Sequence, residues 1–439
     1  MADRSPRAAV AELLIKVEKN AYSNLALDGM LSVSDYSRQE KNFISRLFYG
    51  VIERRVTLDY IISLYSSKPL HKLDLTVAVI LRMGLYQLVY MESVPDNAAV
   101  NEAVNLAKKM GKTSAASFIN AILRNFIRAD KIIKFPNDMV GKYSVQYSCP
   151  KDLTKKLITQ HGEQCTADFL RASLEPHKMF IRVNNVLISA DELSNKLSEN
   201  AVKATVSDYD KNCLNVEKLV SIENNTLFNE GYFHVQDLSS QLCCKALAPL
   251  EGDTVLDLCA APGGKTFTIA EMMNDKGSVY SCDLHNKRVS LIKKGAERLR
   301  LSSITPLQND AKVYNEKFPV FDKILCDVPC SGFGVIRSKP EIKYTPLKDV
   351  ERLPEIQYAI LETAVKYLKQ GGELVYSTCT VLREENDEII DRFLNFHPEF
   401  EGVPFLEELG EPFGSYKTTI MAGKLNCEGF FISKIRRIK

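Results

Sequence analysis

Two cysteines just beyond apolar runs have the most chemistry to offer in this chain. Ser377-Thr378-Cys379-Thr380 closes one run, and Asp327-Val-Pro-Cys330 follows Ile324-Leu325-Cys326 at the end of another. A thiolate is a strong nucleophile once its pKa falls from the free value of about 8.5. Methylating carbon 5 of a pyrimidine calls for such a group, because the ring is unreactive there until a nucleophile adds at carbon 6. If the two runs are neighbouring strands, their ends lie ~5 Å apart and both thiols reach one base. The residues alone leave open which thiol attacks. Cys326, inside its run, is read as a small buried hydrophobe, as is the Cys243-Cys244 pair.

A cofactor loop is expected on the same sheet. Cys259, Ala260, Ala261, Pro262, Gly263, Gly264 and Lys265 follow a strand ending at Asp257, and the two glycines let the backbone approach a ligand. Asp283 ends the next strand, where a carboxylate accepts hydrogen bonds from a ribose diol, and Asp310 follows the third, toward the far side of an adenine. The loop has neither G-x-G-x-x-G nor the earlier glycine of a phosphate loop. S-adenosylmethionine, an adenosine without phosphates, fits these acids better than a dinucleotide or a nucleoside triphosphate.

The elements that must position these residues alternate. Strands are expected at Thr254 to Leu258, Gly277 to Leu284, Ile304 to Gln308, Phe321 to Asp327 and Glu373 to Ser377, with helices at Lys265 to Met273, Lys287 to Leu301 and Pro354 to Lys369. This is the pattern of a doubly wound α/β sheet, which binds ligands beyond the carboxyl ends of its strands. Upstream, Val10, Leu13, Leu14 and Val17, then Ile44, Leu47, Phe48 and Val51, mark helical faces, and the stretch from Leu75 to Met91 is apolar nearly all round, as in the centre of a bundle. Pro95-Asp96-Asn97 is expected to stop one helix and cap the next. Between bundle and sheet, Phe180 to Asn184 and Cys213 to Val216 read as strands around a helix from Asp191 to Glu199. Three domains are therefore expected: an all-α bundle over 1–140, a small α+β module over 141–235, and a Rossmann-like α/β domain over 236–439.

Charge and composition narrow the partners. Residues 1–140 hold 19 Lys/Arg against 14 Asp/Glu while the remainder holds 38 against 41, an asymmetry that fits a basic nucleic-acid-facing module beside a neutral one. Arg124 and Arg128 with Asn120, and Lys108, Lys109 and Lys112, are candidate phosphate contacts in the bundle; Arg337, Lys339 and Lys343 are better placed beside the Cys330 loop. No apolar run is long enough to span a bilayer, and eleven scattered cysteines read as reduced thiols without metal-site spacing. A cytoplasmic monomer without metal or membrane attachment is expected.

Taken together, Asp257-Leu-Cys-Ala-Ala-Pro-Gly-Gly-Lys265, Asp327-Val-Pro-Cys330-Ser-Gly and Tyr376-Ser-Thr-Cys379 followed by Glu384-Glu-Asn386 resemble the bacterial RNA (cytosine-C5) methyltransferases. Leu58-Asp-Tyr60, Leu81-Arg-Met-Gly-Leu-Tyr-Gln87, Asn97-Ala-Ala-Val-Asn-Glu102 and Asn120-Ala-Ile-Leu-Arg-Asn125 resemble the N-terminal domain related to the antitermination factor NusB, and Phe233-His-Val-Gln-Asp-Leu-Ser-Ser240 resembles the lead-in to the catalytic domain. The resemblance spans nearly the whole chain. It implies Cys379 as nucleophile, Cys330 as the aid to release and a candidate base for the carbon-5 proton, and Asp327 at the cytosine edge. It also implies S-adenosylmethionine held by Cys259 to Lys265, Asp283, Asp310 and Asp327, and 16S ribosomal RNA as partner. Alternatives are another RNA such as tRNA, a DNA enzyme attacking through Cys330, and a noncatalytic NusB-like RNA-binding factor. Ser338-Lys339, Tyr344 and Glu428 depart from the family pattern, which has Arg-His, Trp and Asp there.

Overall fold

The computed structural model describes residues 5–19, 23–32, 34–176, 178–217, 219 and 222–439, which form two compact units, Met1–Leu174 and Glu175–Lys439. The first is helical. Its central helix, Leu75–Tyr90, is buried from Val77 to Leu88, including Arg82 and Gln87. A buried guanidinium needs partners, and Arg82 finds them in Asp59, at 2.5 and 2.9 Å, and Glu18, at 2.8 Å. Asp74 caps this helix by accepting from the N–H groups of Thr76 and Val77. The next helix begins at Asp96, so Asp96 and Asn97 lie within its first turn and make no side-chain cap. Helices Lys151–His161 and Glu163–Ala172, which fall in the stretch assigned to the small module, belong to this compact unit.

The second unit holds two sheets. In the smaller, strands β1 (Met179–Val183), β2 (Lys203–Val206), β3 (Cys213–Glu217) and β4 (Phe233–Val235) pair antiparallel in the order β2-β3-β1-β4. The helix Ala190–Glu199, opened by a Ser189–Glu192 capping box, packs Leu193 and Leu197 against Ile181, Leu214 and Phe233.

The larger sheet contains β5 (Thr254–Asp257), β6 (Ser278–Asp283), β7 (Ile304–Gln308), β8 (Phe321–Asp327), β9 (Leu368–Thr378), β10 (Phe400–Gly402), β11 (Lys417–Ile420) and β12 (Phe430–Arg437). Its main path runs β10-β12-β9-β8-β5-β6-β7, with β11 paired to β12. The five strands from β9 to β7 are parallel. Alternation along them feeds two cores: Val255, Val279, Leu325 and Val375 meet Leu242, Ile269 and Ile292 on one face, while Leu256, Ile324, Cys326 and Leu374 meet Leu361, Ile390 and Phe393 on the other. The doubly wound reading holds, and the C-terminal strands β10 to β12 extend the sheet antiparallel.

The fifth parallel strand starts earlier than its apolar pattern implies. The helix expected to reach Lys369 ends at Ala364, and β9 begins at Leu368, because Tyr367 and Leu368 are buried in the core beside Phe321. From β5 the chain builds outward through β6 and β7, then returns to β8 on the other flank of β5. This reversal opens the crevice in which such sheets bind ligands.

Candidate active site

The loop after β5 is fixed from both sides. The Leu258 N–H donates to Leu325 O on β8 at 3.1 Å, and the Ala260 N–H to Cys282 O on β6 at 2.7 Å. Gly263 turns the chain at φ +116°, a left-handed backbone that suits glycine, and a Cβ there would strike the Phe267 ring. Gly264 opens the helix Gly264–Met272. Cys259, at the start of the loop, has its thiol pushed well above the ordinary range by burial, so it contributes backbone rather than nucleophilicity.

Of the three strand-end acids, one turns inward. Asp257 is wholly buried and accepts the Thr266 hydroxyl at 2.7 Å, and burial pushes its carboxyl up to about 7. It anchors the loop to its helix. Asp283 accepts the His285 N–H at 3.0 Å and pairs with Arg288 at 3.1 Å, and the same guanidinium donates to Ala261 O at 2.7 Å. Asp310 is half-buried and accepts the Lys312 N–H at 3.0 Å; the Asn309 N–H donates to Asp283 O, so the two acids sit at adjacent strand ends. Two cations beside these acids face carboxylates, Arg288 at Asp283 and Lys265 at Asp327. Carboxylate acceptors suit a diol and an amine rather than phosphates, and so fit S-adenosylmethionine.

Asp327, at the end of β8, lies opposite Ser377 on β9. It accepts the Ser377 hydroxyl and the Lys265 ammonium, each at 2.8 Å. Burial opposes the Lys265 charge, but its surroundings, Asp327 foremost, together outweigh that and raise the ammonium's pKa, so the lysine stays protonated. One residue past β9, Cys379 brings its Sγ within 3.2 Å of Cys330 Sγ. Their surroundings differ. The hydrogen bond from Cys330 holds the Cys379 thiol below its ordinary value against burial and Asp327, helped by Lys265 and Lys339. The same contact, burial, and the carboxylates of Glu385 and Asp327 hold Cys330 well above its own. These directions make Cys379 the more acidic thiol of the pair.

Close backbone contact supports the pair. The Gly334 N–H donates to Cys379 O at 3.0 Å, and Gly334 O accepts from Gly429 N–H at 2.9 Å; a Cβ at Gly334 would lie 2.1 Å from Gly429 O and 2.7 Å from Cys379 O. Glu385 accepts from Ser331 and Gln357 and was not singled out by spacing, which does not reveal which member of the Glu384-Glu385 pair turns inward.

Three further expectations are settled by burial. Cys326, Cys243 and Cys244 are core residues. Arg337 and Lys343 are buried, with Arg337 donating to Glu175 O and Pro176 O, so neither lines an RNA path; Lys339 is exposed. In the helical unit Lys108, Lys109, Arg124 and Arg128 are exposed, Arg124 and Arg128 bonding Asn120 and Asn125, while Lys112 pairs with Asp74 at 2.7 Å.

Three family models match this chain: NusB family over residues 4–128, the RsmF/B-like ferredoxin-like domain over 149–223, and 16S rRNA methyltransferase RsmB/F over 244–436. A "Probable ribosomal RNA small subunit methyltransferase B" of Bacillus subtilis is 39% identical over 448 residues, covering 100% of both chains. The chain belongs to the RsmB/F family of rRNA methyltransferases. Among solved structures, PH0851 is similar over 100% of this chain and 99% of its own, with a TM-score of 0.83 and 25% identity. NSun6 from Pyrococcus horikoshii with SFG covers 66% of this chain and 98% of its own, with a TM-score of 0.61 and 24% identity, a likeness of fold. RsmB/F membership agrees with the methyltransferase fold of the larger sheet, with its reversal of strand order at β5, and with the helical NusB and ferredoxin-like parts. Among the described residues no helix is long and apolar enough to cross a membrane.

Proposed function

We propose that this protein methylates carbon 5 of a cytosine in 16S ribosomal RNA through a covalent adduct between Cys379 and carbon 6. The observation that carries the reading is the Cys330–Cys379 pair, 3.2 Å apart beyond the ends of adjacent strands, with Lys265 and Lys339 acting on Cys379, Glu385 on Cys330 and Asp327 on both. S-adenosylmethionine supplies an electrophilic methyl group. Cys259 to Lys265 would hold it, with Asp283 on the ribose side, Asp310 on the adenine side and Asp327 nearby.

The Cys379 thiolate adds to carbon 6, and the electron pair of the 5,6 double bond moves toward carbon 5, which takes the methyl group as its bond to sulfur breaks. Asp327, held by Lys265 and Ser377, meets the ring edge and favours the adduct. A base then removes the carbon-5 proton, the double bond re-forms, and the thiolate leaves. Cys330 is the thiol placed to assist that release. The target base must leave its stack to meet both thiol and methyl donor. The exposed Lys108, Lys109, Arg124 and Arg128 give the helical unit a surface for RNA phosphates.

The test is a denaturing gel of wild type, Cys330→Ala and Cys379→Ala after incubation with S-adenosylmethionine and unmethylated 16S ribosomal RNA. A slow protein–RNA band that accumulates with Cys330→Ala and is missing with Cys379→Ala is expected. The reverse pattern assigns attack to Cys330, and no band with 16S RNA but a band with tRNA moves the activity to the other substrate.

A further inference from the structure

Glu385 is almost wholly buried between the two cysteine loops. Its Oε2 accepts the Ser331 N–H and the Gln357 amide, each at 2.9 Å, and its Oε1 accepts the Ser331 hydroxyl at 2.5 Å. Gln357 also donates to Pro329 O at 2.9 Å. One carboxylate therefore grips both residues flanking Cys330, Ser331 directly and Pro329 through Gln357. The Ser331 hydroxyl, its hydrogen committed to Glu385, lies 2.8 Å from the hydroxyl of Thr380, the residue after Cys379. Glu385 is itself fixed, since Tyr376 on β9 donates its phenol to Glu385 O at 2.7 Å.

Cys379 has supports of its own. Asn386 donates to Thr380 O at 3.0 Å, the Gly334 N–H donates to Cys379 O, and β9 sets its register. Loss of Glu385 would therefore free the Cys330 loop more than the nucleophile. A glutamine weakens this grip: with its oxygen on the Ser331 N–H and the Gln357 amide, its NH₂ faces the Ser331 hydroxyl, which must then accept instead of donating, and the charge that strengthens all three bonds is lost.

We propose that Glu385 is a positioning residue of the two-thiol site: its carboxylate fixes the Cys330 loop against Cys379 and so governs release of the methylated base rather than attack on it. The second half rests on the covalent reading above; the first does not.

The experiment uses full-length wild type, Cys330→Ala, Glu385→Gln, Ser331→Ala and the Cys330→Ala/Glu385→Gln double variant. With S-adenosylmethionine and unmethylated 16S ribosomal RNA, Glu385→Gln is expected to accumulate the covalent band as Cys330→Ala does, with turnover down about tenfold and single-turnover methyl transfer within about threefold of wild type. In the double variant the Glu385 change is expected to add less than about twofold, the non-additivity of residues acting as a unit. Slowed methyl transfer without a band, or effects that multiply, would overturn the proposal. Without RNA, iodoacetamide labelling read by mass spectrometry is expected to show Cys330 reacting about fivefold faster in Glu385→Gln, with Cys379 changed less than about twofold.

Unchanged Cys330 labelling sinks the positioning role. Shifted labelling with no band from Cys330→Ala upholds it and overturns the covalent reading instead. If Glu385→Gln loses its cooperative melt, Ser331→Ala, which removes one of the three donors, is expected to show the same pattern more weakly, and its absence there overturns the proposal.

Discussion

Strand β8 and the loop that follows it carry two cysteines four residues apart that live in different chemistries. Cys326 is enclosed between strands and helices, where burial pushes its thiol far up and leaves it a small hydrophobe. Cys330, past the strand end, meets a second thiol and two carboxylates. The acids repeat the contrast. Asp257, at the end of β5, faces inward to Thr266, whereas Asp327, at the end of β8, is 28% exposed and holds Lys265 and Ser377. Residue type does not separate floor from rim. What separates them is whether the side chain points into a helix-covered face or across the reversal in strand order.

The rim is where single atoms should matter most. Cys379→Ala is expected to cut methyl incorporation into RNA by roughly 10⁴-fold or more, as removal of a nucleophile does, measured with tritiated S-adenosylmethionine. Gly334→Ala comes next. Its methyl group would press on Gly429 O and Cys379 O, neither of which is the end of a flexible side chain. A displacement of the nucleophile by about 1 Å is expected to cost about a hundredfold in turnover, with the binding constant for S-adenosylmethionine, read by calorimetry, changed much less. Full activity in Gly334→Ala would break the claim that rim geometry is tightly set.

How much of this was legible in the sequence follows the same division. The parallel strands and the loop from Cys259 to Lys265 were readable because apolar runs and glycines report local structure, and the ends of β7 and β8 fell where their patterns stop. The C-terminal strands β10 to β12 and the strands β2 and β4 of the small sheet were not, since short antiparallel strands take their pairing from distant partners. Membership of Asp283, Asp310 and Asp327 at strand ends was legible; the inward turn of Asp257 was not, because strand ends present acids of either orientation. Arg337 and Lys343 looked like RNA contacts because charge suggests exposure, and backbone carbonyls near Glu175 claimed the arginine instead.

On the floor, effects should appear in stability rather than chemistry. Asp257 has its folded pKa raised to about 7, against an ordinary value of about 3.9 in the unfolded chain. The folded state therefore binds the proton more tightly. The stability this group contributes is complete below about pH 4, is lost as pH rises to about 7, and changes no further above that. Asp257→Asn removes that titration. Between pH 5 and pH 8 the difference in unfolding free energy between wild type and variant is expected to move against wild type by about 2 kcal/mol, measured by urea unfolding at both pH values. A constant difference would mean that Asp257 is ionised throughout and that floor and rim acids are alike.

The smallest effect is the sharpest control. Cys326→Ala deletes one buried sulfur from the core formed with Ile324, Leu361 and Tyr376, a loss expected to cost about 1 kcal/mol of stability. Methyl incorporation should stay within about twofold of wild type, because the side chain points into that core while the chemistry occurs at the strand's end. Iodoacetamide should label Cys379 in the folded protein with a pH midpoint below the ordinary thiol value of about 8.5, and should reach Cys326 only after denaturant is added. Were Cys326 to react in the folded state, or its removal to slow turnover tenfold, the boundary between floor and rim would have to be drawn deeper in β8, and Cys330 would lose its distinction from a neighbour four residues away.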